Sequence, residues 1–186
     1  YIGPEGQWNR NRLNTAASGI VICFDTRGDL SFYEMLGKDG RCSTIDINEN
    51  REMLITGRGN GLDTAGGFVV GTEKEYDSFL AIMDIDQGFT YAETWEGDYA
   101  WTLKGKWTPK GYAIFAQGRG SLTLDSRLQI PSTQEEDALI CHFDRDHKIL
   151  SQSIISGPAR TQLTRVRKSE DGLVFCGYNN QDSLFT

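Results

Sequence analysis

The densest run of metal-binding residue types in the chain is Cys141, His142, Asp144, Asp146 and His147. Thiolate, imidazole and carboxylate are the ligands of zinc sites, which need three or four such groups converging on one point. An extended strand sends Cys141 and His142 to opposite faces, so at most one of them can join Asp144. A strand closed by a polar hairpin tip is the plainer expectation for this stretch. Asp84 and Asp86, in Asp84-Ile-Asp-Gln-Gly88, begin like an acidic calcium loop but lack the further oxygen ligands and closing Glu of an EF-hand. Turn chemistry accounts for them. No cofactor is expected; calcium held in the long loops by Asp63, or by Glu73, Glu75 and Asp77, is the alternative.

Nucleophilic catalysis needs a positioned Ser or Cys, a base and an orienting acid. His142 and His147 are the only histidines, no Gly-x-Ser-x-Gly elbow occurs, and no catalytic residue is assigned. Twenty-six acidic residues offer many carboxylate pairs of the kind glycosidases use, so no single pair stands out. Gly57-Arg-Gly59 and Gly118-Arg-Gly120 lack the Lys-Ser/Thr of a phosphate loop and read as strand exits. Trp95, Tyr99 and Trp101, together with Trp8, Tyr91 and Trp107, are the aromatic candidates for a sugar or peptide platform. In alternating strands such rings more often pack into the core. With Asp63, Glu73 and Asp77 they complete the candidate ligand-binding set. Arg27-Gly-Asp29 spells an adhesion-type tripeptide but sits where a hairpin turn belongs.

These residues need elements to hold them, and composition restricts the choice. The chain has 186 residues, 38% of them hydrophobic, with 21 Gly, 4 Pro and 20 aromatics. Gly in that amount disfavours helices and suits short strands joined by tight turns, so an all-β fold is expected. A net charge of −7 argues against nucleic acid or anionic lipid as partner. No apolar stretch is long enough to span a membrane as a helix. Cys23, Cys42, Cys141 and Cys176 form no C-x-x-C pair; four free, buried thiols are expected, with one or two disulfides as the alternative.

A repeat organises the strands. Gly19-Ile-Val-Ile-Cys-Phe-Asp25, Ser78-Phe-Leu-Ala-Ile-Met-Asp84 and Ala138-Leu-Ile-Cys-His-Phe-Asp144 share one pattern, their closing Asp residues 59 and 60 positions apart. About 33 residues after each Asp comes a second block: Glu52-Met-Leu-Ile-Thr-Gly57, Ala113-Ile-Phe-Ala-Gln-Gly118 and Gly172-Leu-Val-Phe-Cys-Gly177. Two further apolar segments lie between, so each unit reads as four short strands. Gly28 and Gly88 supply positive φ in the first hairpin turns; the third, Arg145-Asp-His-Lys148, lacks Gly, and Asp146 is expected to take that conformation. Insertions at 58–76 and 119–137 follow the first two units. The third has none, and Asp182-Ser-Leu-Phe-Thr186 opens another unit after four residues. The uninterrupted period is about 45 residues, the length of a four-stranded propeller blade.

The Ile55-Thr-Gly57 strand exit, the Gly-rich loop after it, Asp77-Ser-Phe-Leu-Ala-Ile-Met-Asp84, and Trp95 with Gly97 together resemble the bacterial β-propeller repeat family over Gly19 to Thr186. The resemblance implies a segment 1–18 from an interblade loop or preceding blade, blades at 19–76, 77–136 and 137–181, and a first strand of the next at 182–186. Three units cannot close a ring, so a segment of a larger propeller is expected, with a β-sandwich as the alternative. The function expected is a noncatalytic structural or interaction module, extracellular or on a cell surface. It would bind protein, other copies of itself or glycan through its long loops and open blade edges. The alternative is a fragment of a propeller enzyme acting on glycans.

Overall fold

The computed structural model describes residues 19–36, 41–59, 63–65, 67–70, 77–97, 102–130, 136–156, 161–169 and 172–179. Among them are sixteen strands and no helix. The first unit supplies β1 (Gly19–Phe24), β2 (Leu30–Leu36), β3 (Arg41–Ile47) and β4 (Glu52–Gly59). Its insertion forms a small hairpin, β5 (Asp63–Ala65) and β6 (Phe68–Val70). The second unit supplies β7 (Asp77–Asp84), β8 (Gly88–Gly97), β9 (Thr102–Thr108) and β10 (Gly111–Gly118), and its insertion supplies β11 (Leu122–Leu124) and β12 (Leu128–Ile130). The third gives β13 (Asp137–Asp144), β14 (Ile149–Ile155), β15 (Thr161–Ser169) and β16 (Gly172–Asn179). Segments 1–18 and 182–186 lie outside the described residues.

The recurring Asp at each strand end is a turn former. Asp25 Oδ1 accepts hydrogen bonds from the backbone N–H groups of Arg27 and Asp29, and Asp144 Oδ1 accepts those of Asp146 and Lys148. Asp84 Oδ1 accepts from Asp86 and Gln87. Such local bonds fix a reversal without help from the core. Gly28 and Gly88 take φ of 89° and 87° as expected; in the third turn His147, not Asp146, takes the left-handed position at φ 62°. His147 lies three residues beyond Asp144, where Gly28 lies relative to Asp25, and its ring is held by aromatic contacts described below. Each hairpin carries the same bulge, leaving Ser31, Thr90 and Leu150 without a direct partner.

The sheets are phased differently from the units at 19–76, 77–136 and 137–181. The second and third strands of a unit do not pair; instead the fourth pairs with the first strand of the next unit, β4 with β7 and β10 with β13. The repeat therefore builds antiparallel sheets β3-β4-β7-β8 and β9-β10-β13-β14, flanked by the two-stranded sheets β1-β2 and β15-β16. Sequence similarity fixes the period of a repeat but leaves its starting point free. The strands divide among five sheets, not the two of a sandwich.

These sheets stack as layers. Leu54, Leu80 and Ile82 from one face of the second layer pack with Leu103, Tyr112, Ile114 and Phe143 of the third. Met53, Ile55, Phe79 and Met83 from its other face pack with Val21 and Phe32 of the first. Buried on both sides, β4 and β7 read as near-continuous apolar runs, whereas alternation survives in β3 and β8. Phe115 meets Phe175, ring centroids 4.7 Å apart, between the third layer and β15-β16. The approach is close: an added Cβ on Gly105 would come 2.7 Å from Leu54 Cδ2. Polar groups join the same interface, with Thr56 Oγ1 donating to the Leu103 carbonyl and Gly105 N–H donating to Thr44 Oγ1. The β11-β12 hairpin extends the second layer by pairing Leu122 and Thr123 with Gly97 and Glu96 of β8.

Candidate functional site

Two clusters of polar side chains form where the second and third layers meet. The first is built around Glu93, whose side chain is 7% exposed. On β8 the alternation places Tyr91, Glu93 and Trp95 on one face, pointed at the third layer. Trp95 Nε1 donates to Glu93 Oε1 at 3.0 Å, and the Tyr91 hydroxyl donates to Oε2. Arg127, at the tip of the β11-β12 hairpin, reaches Oε2 at 2.6 Å and donates to the His147 carbonyl at 2.8 Å. The His147 ring stacks on Tyr91, and its Nδ1 lies 3.1 Å from the Tyr112 hydroxyl. Burial, then the neighbouring Glu93 charge, raises both tyrosine hydroxyls well above their ordinary range, so they stay protonated. Burial lowers His147, with Glu93 pulling the other way. Glu93 is occupied by three donors, which makes this cluster a clamp between layers rather than a proton-transfer site.

The second cluster surrounds the β9-β10 turn. Trp107 donates its backbone N–H to Asp46 Oδ2 at 2.8 Å and its Nε1–H to the carbonyls of Asp46 and Glu52. Lys106 pairs with the Asp46 carboxylate. The Arg145 guanidinium sits 5.1 Å over the Trp107 ring and pairs with Glu52 Oε2 at 2.8 Å. On one side of this turn lies a cleft of about 510 Å³, lined among others by Asp46, Glu49, Lys106 and Arg145. On the other lies a more apolar cleft of about 290 Å³, lined by Pro109, His142, Leu150 and Leu173. Clefts of this size, apolar with a few convergent polar groups, suit small ligands or single side chains of a partner.

The residues singled out in the sequence disperse. Asp84 and Asp144 are spent on turn hydrogen bonds, Asp86 pairs with Arg51, and Asp146 is exposed on its turn. His147 belongs to the Glu93 cluster, and the described residues contain no group of three or more metal-ligating side chains. Trp95 and Asp77 are buried, at 0% and 1% exposure, so neither can face a ligand. Glu73, Tyr99 and Trp101 lie outside the described residues, as does the side chain of Asp63. None of the four cysteines is joined in a disulfide, but only Cys141 is buried; Cys23 is half-buried and Cys42 and Cys176 are exposed. The insertion at 119–137 is not a free binding loop over β11-β12, because Leu122, Leu124, Leu128 and Ile130 belong to the core.

Glu93, Arg127 and the Trp107–Arg145 stack were not visible as a set in the sequence. A charged residue flanked at both i±2 positions by aromatics, as in Tyr91-x-Glu93-x-Trp95, is the one local sign of them. Searches against family models, curated proteins and solved structures find no match to this chain.

Proposed function

We propose that this chain is a noncatalytic structural or interaction module, its stacked four-stranded sheets being consecutive blades of a larger, propeller-type protein. The observation that carries the reading is the recurrence of one build. In β3-β4-β7-β8 and again in β9-β10-β13-β14, a sheet takes the last two strands of one unit and the first two of the next. Its middle strands then pack on the following layer. The terminal layers support the same reading, since Ile20, Phe24 and Leu30 on one and Val174 on the other remain exposed, as on sheets shaped to receive another. An extracellular or cell-surface location belongs to the proposal through the family resemblance. Partners would be proteins, further copies or glycans, engaged at the two clefts beside Trp107 and at unpaired sheet edges.

The glycan-hydrolysing alternative finds less support, because Asp46 at the larger cleft is tied to Lys106. Glycan and protein arrays probed with the chain, alongside a panel of chromogenic polysaccharides, test the reading. Binding without sugar release is expected. Release of sugar that disappears in Asp46→Asn would overturn it.

A further inference from the structure

The stack ends in two half-sheets, and each is the half that the other lacks. β1-β2 holds the first two strands of a unit and β15-β16 the last two, whereas each four-stranded sheet holds both kinds. Among the described residues β1 pairs only with β2, and β16 only with β15. In the complete sheets the joint between the halves keeps one register: Glu52 lies opposite Asp84 in β4-β7, and Gly111 opposite Asp144 in β10-β13. Gly172 and Asp25 hold those places in β16 and at the end of β1. The bulges fall in β2 and β15, so β1 and β16 are regular and their side chains alternate between faces. Neither strand carries a charged residue.

We propose that β1-β2 of a second copy of this chain pairs with β16 and completes the sheet that β15-β16 begins. In the register of the repeat, Phe24 of the second copy lies opposite Leu173, Ile22 opposite Phe175 and Ile20 opposite Gly177. Opposed residues share a face, and Phe175 turns to Phe115 of the third layer, so this face of β1 turns there too. It is the face that β1 leaves open within its own copy, where Val21 packs on the second layer and Ile20 and Phe24 stay 39% and 56% exposed. Beside Leu173 lies the apolar cleft of about 290 Å³, lined also by His142 and Leu150. An apolar cavity of about 150 Å³ holds a benzene ring, so the Phe24 ring fits. Phe143 packs in the equivalent way, opposite Tyr112 and buried against the second layer. Val174, 57% exposed, falls on the other face with Val21 and is covered by the second layer of the second copy.

The charges agree by position in the repeat. Arg51, just before β4, pairs with Asp86 in the turn after β7; Asp171 and Arg27 stand at the matching places, again of opposite sign. Asp182-Ser-Leu-Phe-Thr186 is the other candidate for the edge of β16, but in the same register it runs opposite Asn179 to Phe175 and does not reach Leu173 or the cleft. The two joined edges lie at opposite ends of the stack, so the contact is heterologous. Two copies joined at both ends make six four-stranded sheets, within the range of about 4 to 8 that closes a propeller. The proposal rests on the module reading and names the partner of its terminal half-sheets.

Sedimentation velocity and a register-specific cross-link test it on the full 186-residue chain. Gly105 and Trp107 turn their N–H groups away from β10, so in the repeat's pattern Val174 and Cys23 of the second copy form a non-hydrogen-bonded pair. The Cα atoms of such a pair lie about 4.5 Å apart, within disulfide reach. Val174→Cys treated with oxidised glutathione should therefore give a covalent dimer in which peptide mapping joins residue 174 to Cys23, and Cys23→Ser should abolish it. The wild type should associate as concentration rises. Phe24→Asp, which sends a carboxylate to the cleft, should weaken that association about tenfold or more. Phe24 and Val174 are exposed, so circular dichroism and melting should match the wild type in both variants. Leu184→Pro, which bars Asp182 to Thr186 from the edge of β16, should leave association unchanged. A wild type that stays monomeric, an undiminished dimer band without Cys23, indifference to Phe24→Asp, or association that appears only in Leu184→Pro would each overturn the pairing. The array and hydrolysis measurements address the module reading separately: binding without sugar release by a monomeric chain would leave that reading standing and this one refuted.

Discussion

The imidazole of His147 lies flat against the phenol ring of Tyr91, centroids 3.6 Å apart and planes 10° from parallel. The contact joins the β13-β14 turn of one layer to β8 of the next. Glu93, Arg127, Asp144 and Asp146 are the charged groups that bear on it, and burial outweighs them in holding its pKa below the ordinary 6.5. The folded protein therefore resists protonating His147, while the unfolded chain takes up the proton as the pH falls through 6.5. Stability associated with the neutral ring is present above that pH and is lost progressively below it. In His147→Phe the Tyr112 hydroxyl loses its partner, at a cost of about 1 kcal/mol near pH 7.5. The gap between wild type and variant should narrow as urea denaturation is repeated toward pH 5. A gap of constant size would show that His147 does not titrate in this window.

Arg127 anchors the tip of the β11-β12 hairpin to Glu93, a buried carboxylate between the second and third layers. Removing it in Arg127→Ala leaves Glu93 charged and buried with only Tyr91 and Trp95 as donors. Breaking a buried pair from one side costs about 3 kcal/mol, reduced somewhat here because Arg127 is 29% exposed. The double substitution Arg127→Met with Glu93→Gln removes the stranded charge and should recover part of the loss. Urea midpoints of the two variants decide the matter; a double variant less stable than Arg127→Ala would mean that the ion pair contributes little of the effect.

The second and third layers approach closely at Gly105. A methyl group there would press on Leu54 Cδ2 and Cγ, at 2.7 and 2.9 Å, and Leu54 is itself fully buried. Gly105→Ala should therefore destabilise the chain by about 1 to 3 kcal/mol, although Ala ordinarily suits a strand better than Gly. Combining it with Leu54→Val, which removes one methylene, should restore part of the loss if the clash is the cause. Thermal melts of the single and double variants read this directly.

Much of the strand pattern was legible because its cause is local. Apolar runs and turn-forming Asp residues mark β1, β4, β7, β10, β13 and β16 to within a few residues, whereas the insertions at 58–76 and 119–137 carried no sign of the hairpins β5-β6 and β11-β12. The phase of the sheets was not legible, because β4 and β7 are separated by a long insertion and nothing in either strand says which neighbour it pairs with. The folding of β11-β12 onto β8 is equally non-local. Glu93 and Arg127 are 34 positions apart, and their pairing exists only once that hairpin has docked. His147 showed as a potential ligand because residue type is visible in a sequence, whereas the ring that occupies its face is not. Trp95 and Trp107 illustrate the same limit: the strand pattern puts them on a face, and only the stacking of layers decides that the face is closed.

Cys141 offers a final check on that stacking. It lies in the core between the layers, fully buried, and burial together with the Glu93 charge pushes its thiol up to about 12. Reactivity toward disulfide reagents requires thiolate and access, and Cys141 has neither in the folded state. Cys176 is exposed and should be modified first; Cys42 is also on the surface, but burial pushes its thiol up, so it and half-buried Cys23 should follow more slowly. Labelling under native conditions followed by peptide mass mapping should find Cys141 unmodified at pH 8, and modified only after denaturant is added. Because Cys141 pairs with Ile114 on one side and Gln152 on the other, its protection reports opening of the β10-β13-β14 sheet as a unit. Native-state modification of Cys141 at a rate similar to that of Cys42 would mean that the third layer does not close over the second.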